Sequence, residues 1–242
     1  NTIALFVSCA IVIGIIFKKY DILVKKKLAK EDSKVLLRYG LPRVLGDFAL
    51  LAILTLPTYI VLEIQGDILV GGDVAYCMTL LNLVGAAFSP ISLVLLPEIA
   101  SFITQKRQDL IQKRFKIFVI VGLSLTTVGY LLFYFFTEFF LQILLGSNFR
   151  PNLIEYSRIV LLSSFGYGLY IILRSFLDAI HVRATNAYNL LICLGVYLIF
   201  VYFGISNESS VQYFLYSFVI SLILLGIITF VQAYMNIKKI KW

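Results

Sequence analysis

Apolar runs close to 20 residues recur along the whole chain, and that repetition leaves few folds open. At 1.5 Å per residue, about 20 helical residues span the hydrocarbon core of a bilayer. The runs predict spans at Thr2 to Phe17, Val44 to Ile64, Val74 to Ile103, Ile117 to Phe136, Ile159 to Ile180, Ala187 to Ile205 and Gln212 to Tyr234. The expected fold class is all-α, a polytopic membrane helix bundle of about seven transmembrane helices. Composition points the same way. Of 242 residues 60% are apolar and 14% charged, with a mean hydropathy of +0.94, whereas about a quarter of a soluble domain is charged. The apolar excess must face lipid.

The formal net charge of +8 invites a nucleic-acid reading until the basic residues are placed along the chain. Connections between spans alternate between two sides. One side holds Lys18 to Arg43, Gln105 to Lys116, His181 to Asn186, the C-terminal tail and Arg174; the other holds Gln65 to Asp73, Thr137 to Arg158 and Ser206 to Val211. Lysine and arginine divide 19 to 2 between them. By the positive-inside rule this makes the chain a multi-pass protein of a cell (plasma or inner) membrane with a cytoplasmic C-terminus. The charge then reports topology, with attraction to anionic membrane lipids second and no nucleic-acid partner.

Cys9, Cys77 and Cys193 each lie in an apolar run with no CxxC spacing, so neither a disulfide nor a zinc site is expected. His181 is the single histidine and sits at a membrane boundary, which leaves no triad or imidazole metal site to build. No enzyme activity, metal or cofactor is expected. The first span is short and begins at Asn1 without a charged n-region, so it reads as the end of a helix whose preceding part is missing. Residues 18–34 form a basic cytoplasmic connector. In the segment Glu138 to Arg158, apolar Phe139, Phe140, Ile143, Leu144 and Leu145 precede Gly146, a pattern for a short interfacial helix ended by a glycine turn.

Proline falls within two spans, at Pro57 in the second and at Pro90 and Pro97 in the third. Each removes a backbone donor, so kinks are expected, and the released carbonyls must face protein or water. Transporters use such positions as bending points; proline is also common in membrane helices generally. Ionisable side chains in the spans are few, because each costs at least ~2.5 to 3.5 kcal/mol at the bilayer centre. Arg43 and Asp47 stand at i and i+4, as do Arg174 and Asp178, and Glu98 follows Pro97. All lie toward the cytoplasmic side. One reading is a polar cavity whose arginines meet an anionic head group, for which the guanidinium fork suits phosphate oxygens. The other is intrahelical ion pairs with snorkelling side chains. Asn82, near the middle of its span, either lines a path or bonds another helix.

Arg38-Tyr39-Gly40-Leu41-Pro42-Arg43, continuing through Gly46-Asp47-Phe48-Ala49-Leu50, opens a membrane helix after a basic linker. It resembles the start of the second lobe in polysaccharide (O-antigen-type) repeat-unit flippases. Leu95-Leu96-Pro97-Glu98 is similar to the same family, as are Leu144-Leu145-Gly146 with Phe149-Arg150-Pro151, followed by Leu173-Arg174-Ser175-Phe176-Leu177-Asp178-Ala179. The family belongs to the multidrug/oligosaccharidyl-lipid/polysaccharide exporter (MATE-like) superfamily, in which two six-helix lobes surround a central cavity.

The resemblance implies three parts. Residues 1–17 end the last helix of a missing N-terminal lobe, 18–34 link the lobes, and 35–242 form a six-helix C-terminal lobe. It implies a flippase for a polyprenyl-pyrophosphate-linked oligosaccharide in cell-surface polysaccharide biosynthesis, working by rocking of the lobes. Arg43 and Arg174 would contact the pyrophosphate, with Asp47 and Asp178 orienting them. Asn82 would line the path, and Pro57, Pro90 and Pro97 would serve as hinges. The alternatives are an ion-coupled multidrug antiporter, with Asp47 the nearest candidate acid, a membrane-embedded polysaccharide polymerase, and a non-transporting scaffold lobe.

Overall fold

The computed structural model describes residues 26–146, 149–180 and 184–239. Eight helices follow one another among them: α1 Lys26–Gln65, α2 Ile68–Thr104, α3 Gln108–Phe135, α4 Thr137–Leu145, α5 Pro151–Leu162, α6 Ser164–Ile180, α7 Thr185–Ser206 and α8 Val211–Lys239. No strand occurs among the described residues. The chain clusters into two units, residues 1–39 and 40–242, and the description below concerns the second. It holds six helical segments long and apolar enough to cross a membrane, with α5 and α6 acting as one span over Pro151–Ile180. The protein is an all-α, multi-pass membrane helix bundle. The expected first span, Thr2 to Phe17, and residues 18–25 of the connector lie outside the described residues.

Several helices begin earlier than the sequence reading places the spans, α1 at Lys26, running through residues 26–34 of the expected connector, and α3 at Gln108; two of the boundaries have identifiable reasons. The third span begins at Ile68, so the connection expected over Gln65 to Asp73 shrinks to Gly66 and Asp67. Gly66 adopts φ +62°, a left-handed turn open to glycine, and the Asp67 carboxylate accepts the Leu69 N–H at 2.8 Å to cap the helix. Gly71 and Gly72 look like a loop in the sequence, but Gly71 lets α2 lie against Leu62, where an added Cβ would sit 3.1 Å from Leu62 Cδ1. The fifth span begins at Pro151 rather than Ile159, with the proline at the first helical turn, where its missing N–H removes nothing. Asn152, Glu155 and Arg158 are carried as a polar first stretch.

Gly146, at φ +78°, ends α4 as the glycine turn expected there. Leu141 is fully buried on that helix while Phe139 and Ile143 are exposed, so α4 packs by one face and turns an apolar face outward.

The span Pro151–Ile180 is the axis of the bundle. Of its most apolar window 78% is buried, against 11% for α3, which is exposed on the surface of the unit over most of its length. The core surrounds α6, where Tyr170 and Phe176 are fully buried together with Tyr197 of α7 and Phe214 and Phe218 of α8. Close approach depends on small residues, as expected where lipid supplies no hydrophobic drive between helices. At the α6–α8 crossing, a Cβ on Gly166 would lie 2.1 Å from the Leu222 carbonyl oxygen, and one on Gly226 would lie 2.7 Å from Gly166 Cα. At the α1–α7 crossing, Gly46 meets Ala187 in the same way, at 2.6 Å.

The two ends of the bundle differ in charge. Arg43, Lys106, Arg107, Lys113, Arg114, Lys116, Arg174, Lys238 and Lys239 gather at one end; Arg150 and Arg158 are the described basic residues of the other. Contacts respect this division. At the basic end Arg114 pairs with Glu98 at 2.7 Å, and the Gln108 side chain donates to the Ile237 carbonyl at 2.7 Å. At the opposite end Arg150 reaches Asp67 and Asp73, and Gln212 donates to Glu155.

Candidate functional site

On α2, Asn82, Gly85, Ser89 and Ser92 recur at spacings of three and four, which places them on one helix face. On α6, Tyr167, Ile171 and Arg174 do the same. The two faces meet because Gly85 leaves room for the Tyr167 ring, whose Cε1 would be 2.9 Å from a Cβ added there. The Ser175 hydroxyl donates to the Ser92 carbonyl at 2.9 Å, and the two hydroxyls are also hydrogen-bonded to each other. Beside this seam, with Leu50 of α1 as a further wall, lies a cavity of about 260 Å³ lined by Asn82, Ser89, Ser92, Tyr167 and Arg174.

Proline adds to its polarity. Pro90 and Pro97 have no N–H, so the carbonyls of Ala86 and Leu93, four residues earlier, lose their helical donors. Ala86 and Leu93 both line this cavity. Pro57 acts elsewhere: it is buried in α1, and its missing donor concerns Ile53 in the core. The helices continue through all three prolines and through Pro42.

The expected site residues divide between this cavity and its edge. Asn82 and Arg174 share it. Arg174 makes no ion pair among the described residues, and Asp178, one turn on, accepts the Asn186 amide at 2.7 Å. The same amide donates to the Arg174 carbonyl at 3.1 Å and so ties the start of α7 to the last turns of α6. Of the two readings of the Arg174 and Asp178 spacing, the intrahelical ion pair does not form. Arg43 and Asp47 are exposed on α1. Asp47, Arg174 and Asp178 all act electrostatically on the buried Tyr170, which groups them around one point of α6. Glu98 belongs to none of this, being held by Arg114.

Sequence reasoning missed the serines and the tyrosine of the cavity. Their signal was present in the helical spacing of Asn82, Ser89 and Ser92, but the matching face of α6 is recognisable only once the two helices are known to touch. It also missed the charge cluster at the far end, because Asp67 and Asp73 fell in an expected loop. Arg150, just ahead of α5, forms ion pairs with Asp73, its Nε 3.1 Å from the carboxylate, and with Asp67 at 3.6 Å, joining the starts of α2 and α5. Asp73 is only 15% exposed. Arg150→Met should therefore leave a largely desolvated carboxylate without its cation and lower stability by about 2 kcal/mol or more, below the 3 to 5 of a fully buried pair. Thermal unfolding in detergent measures this. Asp73→Asn added to Arg150→Met should recover most of the loss, and a double variant as unstable as the single one would refute the assignment.

Among the described residues no group of three His, Cys, Asp or Glu side chains gathers. Cys77 and Cys193 are buried on different helices. What the site offers is a guanidinium, hydroxyls, an amide and carbonyl oxygens, a set suited to holding an anionic polar molecule. Comparison with protein-family models, with curated proteins and with solved structures found no match, so the functional reading stands on this geometry.

Proposed function

We propose that this chain is the second lobe of a flippase that carries a polyprenyl-pyrophosphate-linked oligosaccharide across a cell membrane, from the cytoplasmic to the outer leaflet. The observation that supports it most is Arg174, a guanidinium without a carboxylate partner among the described residues, in a polar cavity within a membrane span. A half-buried cation within a membrane span is stabilised by an anion or by water. A pyrophosphate supplies the anion, and the bidentate fork of arginine matches its oxygens. Asn82, Ser89, Tyr167 and the carbonyls of Ala86 and Leu93 offer donors and acceptors for sugar hydroxyls.

In this reading the cavity is one wall of a larger chamber. Asn82 and Ser89 are exposed on the unit's surface at a depth where lipid would leave their polar groups unsatisfied. A companion lobe placed over this face would enclose them. Rocking of the two lobes would expose the chamber to each side in turn, with Pro90 and Pro97 beside the cavity as bending points. The basic end is cytoplasmic in this reading, so Arg43 and Arg174 stand where the lipid-linked substrate enters, with Asp47 and Asp178 nearby.

The test is complementation. The full-length protein should restore surface polysaccharide to a flippase-deficient cell, and Ser89→Phe, which fills the cavity from an exposed position, should remove that activity while leaving the amount of protein unchanged. Full activity of Ser89→Phe would refute the cavity. Drug extrusion without any glycan phenotype would instead support an ion-coupled multidrug antiporter.

A further inference from the structure

We propose that the groove between α3 and α8 at the basic end is a docking site for an anionic phospholipid, with Lys116 and Lys238 holding the headgroup phosphate and an acyl chain lying along the apolar wall. The groove has a volume of about 310 Å³. Val119, Ile120, Phe230 and Tyr234 form its length, and the two lysines stand among its lining. Its floor is aromatic: the Phe115 ring lies 5.5 Å from Phe230 and 6.3 Å from Tyr234. Such a wall suits a hydrocarbon chain and offers nothing to a hydrophilic ligand.

Charge selects the headgroup. Two arginines at this end are matched, Arg114 by Glu98 at 2.7 Å and Arg107 by Asp109 at 3.6 Å. Lys116 and Lys238 meet no carboxylate among the described residues. Lys238 instead rests its ammonium 4.5 Å from the centre of the Tyr234 ring, which holds it beside the groove. Both lysines line one groove, and an anion bound there meets two cations of the same sign. Free phosphate would meet the lysines yet leave the apolar wall uncovered. A phospholipid covers both, and α3 is the least buried of the six spans. Basic pockets between membrane helices bind anionic headgroups in this way.

The chain purified in detergent, titrated with phosphatidylglycerol, phosphatidylcholine or inorganic phosphate and read by native mass spectrometry, tests this. Phosphatidylglycerol should bind at least tenfold more tightly than phosphatidylcholine, and inorganic phosphate should not displace it. Lys116→Gln with Lys238→Gln should weaken phosphatidylglycerol by about 30-fold, at roughly one kcal/mol per lysine. Ile120→Trp, which fills the groove but keeps both lysines, should weaken it at least tenfold. Lys113→Gln with Lys239→Gln, on the same end but outside the groove, should change it less than threefold. Equal retention of the two lipids, displacement by phosphate, unchanged binding in either groove variant, or equal loss in the Lys113 and Lys239 variant would each overturn the proposal.

Discussion

Gly166→Val is expected to prevent the bundle from assembling. Any Cβ at this position would lie 2.1 Å from the Leu222 carbonyl oxygen and 2.5 Å from Ile223 Cα, and both are backbone atoms of α8 that no rotamer change can move. The helices would have to separate where they cross. Because α6 carries the core, separation there also loosens Phe176, Phe214 and Phe218, each fully buried. Overpacking a well-filled core commonly costs 1 to 3 kcal/mol, and a clash between two backbones belongs above that range, at more than about 3 kcal/mol. The expected result is loss of folded protein on size-exclusion chromatography in detergent. Gly166→Ala should lose most of it too. Gly129→Ala on α3, where a Cβ would meet nothing within 4 Å, is the matched control and should stay within about 1 kcal/mol of the parent. Folded, monodisperse Gly166→Val would mean that α6 and α8 do not cross here.

Arg174→Gln should abolish transport while leaving stability unchanged or raised. The sign of the stability effect is the informative part. A structural arginine is held by a carboxylate, and removing it exposes an unpaired acid and destabilises the fold. Arg174 has no such partner among the described residues, and Asp178 keeps its hydrogen bond from Asn186 whatever stands at position 174. Neutralising Arg174 therefore removes a half-buried charge at no loss of an ion pair. Its backbone carbonyl, which receives the other Asn186 bond, is retained. Arg174→Lys should keep part of the activity, since an ammonium preserves the charge and loses the two-pronged contact. A melting temperature lowered by several degrees in Arg174→Gln, or full transport in that variant, would reject the role.

The contrast between Arg174 and Arg150 shows how far side-chain identity carries. Arg174 lies in an apolar helix and Arg150 in a polar stretch between Gly146 and Asn152. Arg150 is enclosed by Asp67 and Asp73, two acids far from it along the chain, and its role is to fasten helix starts. The acid nearest to Arg174 in the sequence, Asp178, is taken by Asn186 of another helix. Neither partner choice follows from i and i+4 spacing, because a side chain three or four residues away competes with groups that the fold brings just as close.

The sequence by itself determined that this is an all-α, multi-pass membrane protein. Span length, hydropathy and the one-sided distribution of lysine and arginine are properties of each segment taken singly, and a bilayer reads segments singly. It determined the glycine turn at Gly146 as well, since local backbone preference suffices there. Only the tertiary structure decided that Gly71 and Gly72 lie inside a helix, that Asn82, Ser89, Ser92 and Arg174 share one cavity, that the carbonyls released by Pro90 and Pro97 belong to residues of the same cavity, and that α6 rather than another span is the axis. Those facts depend on which helix faces meet, and in a chain this apolar nearly every face is greasy enough to turn toward either lipid or protein. What selects among them is the fit of small residues such as Gly166 against Gly226 and Gly85 against Tyr167, and that fit exists only between helices already brought together.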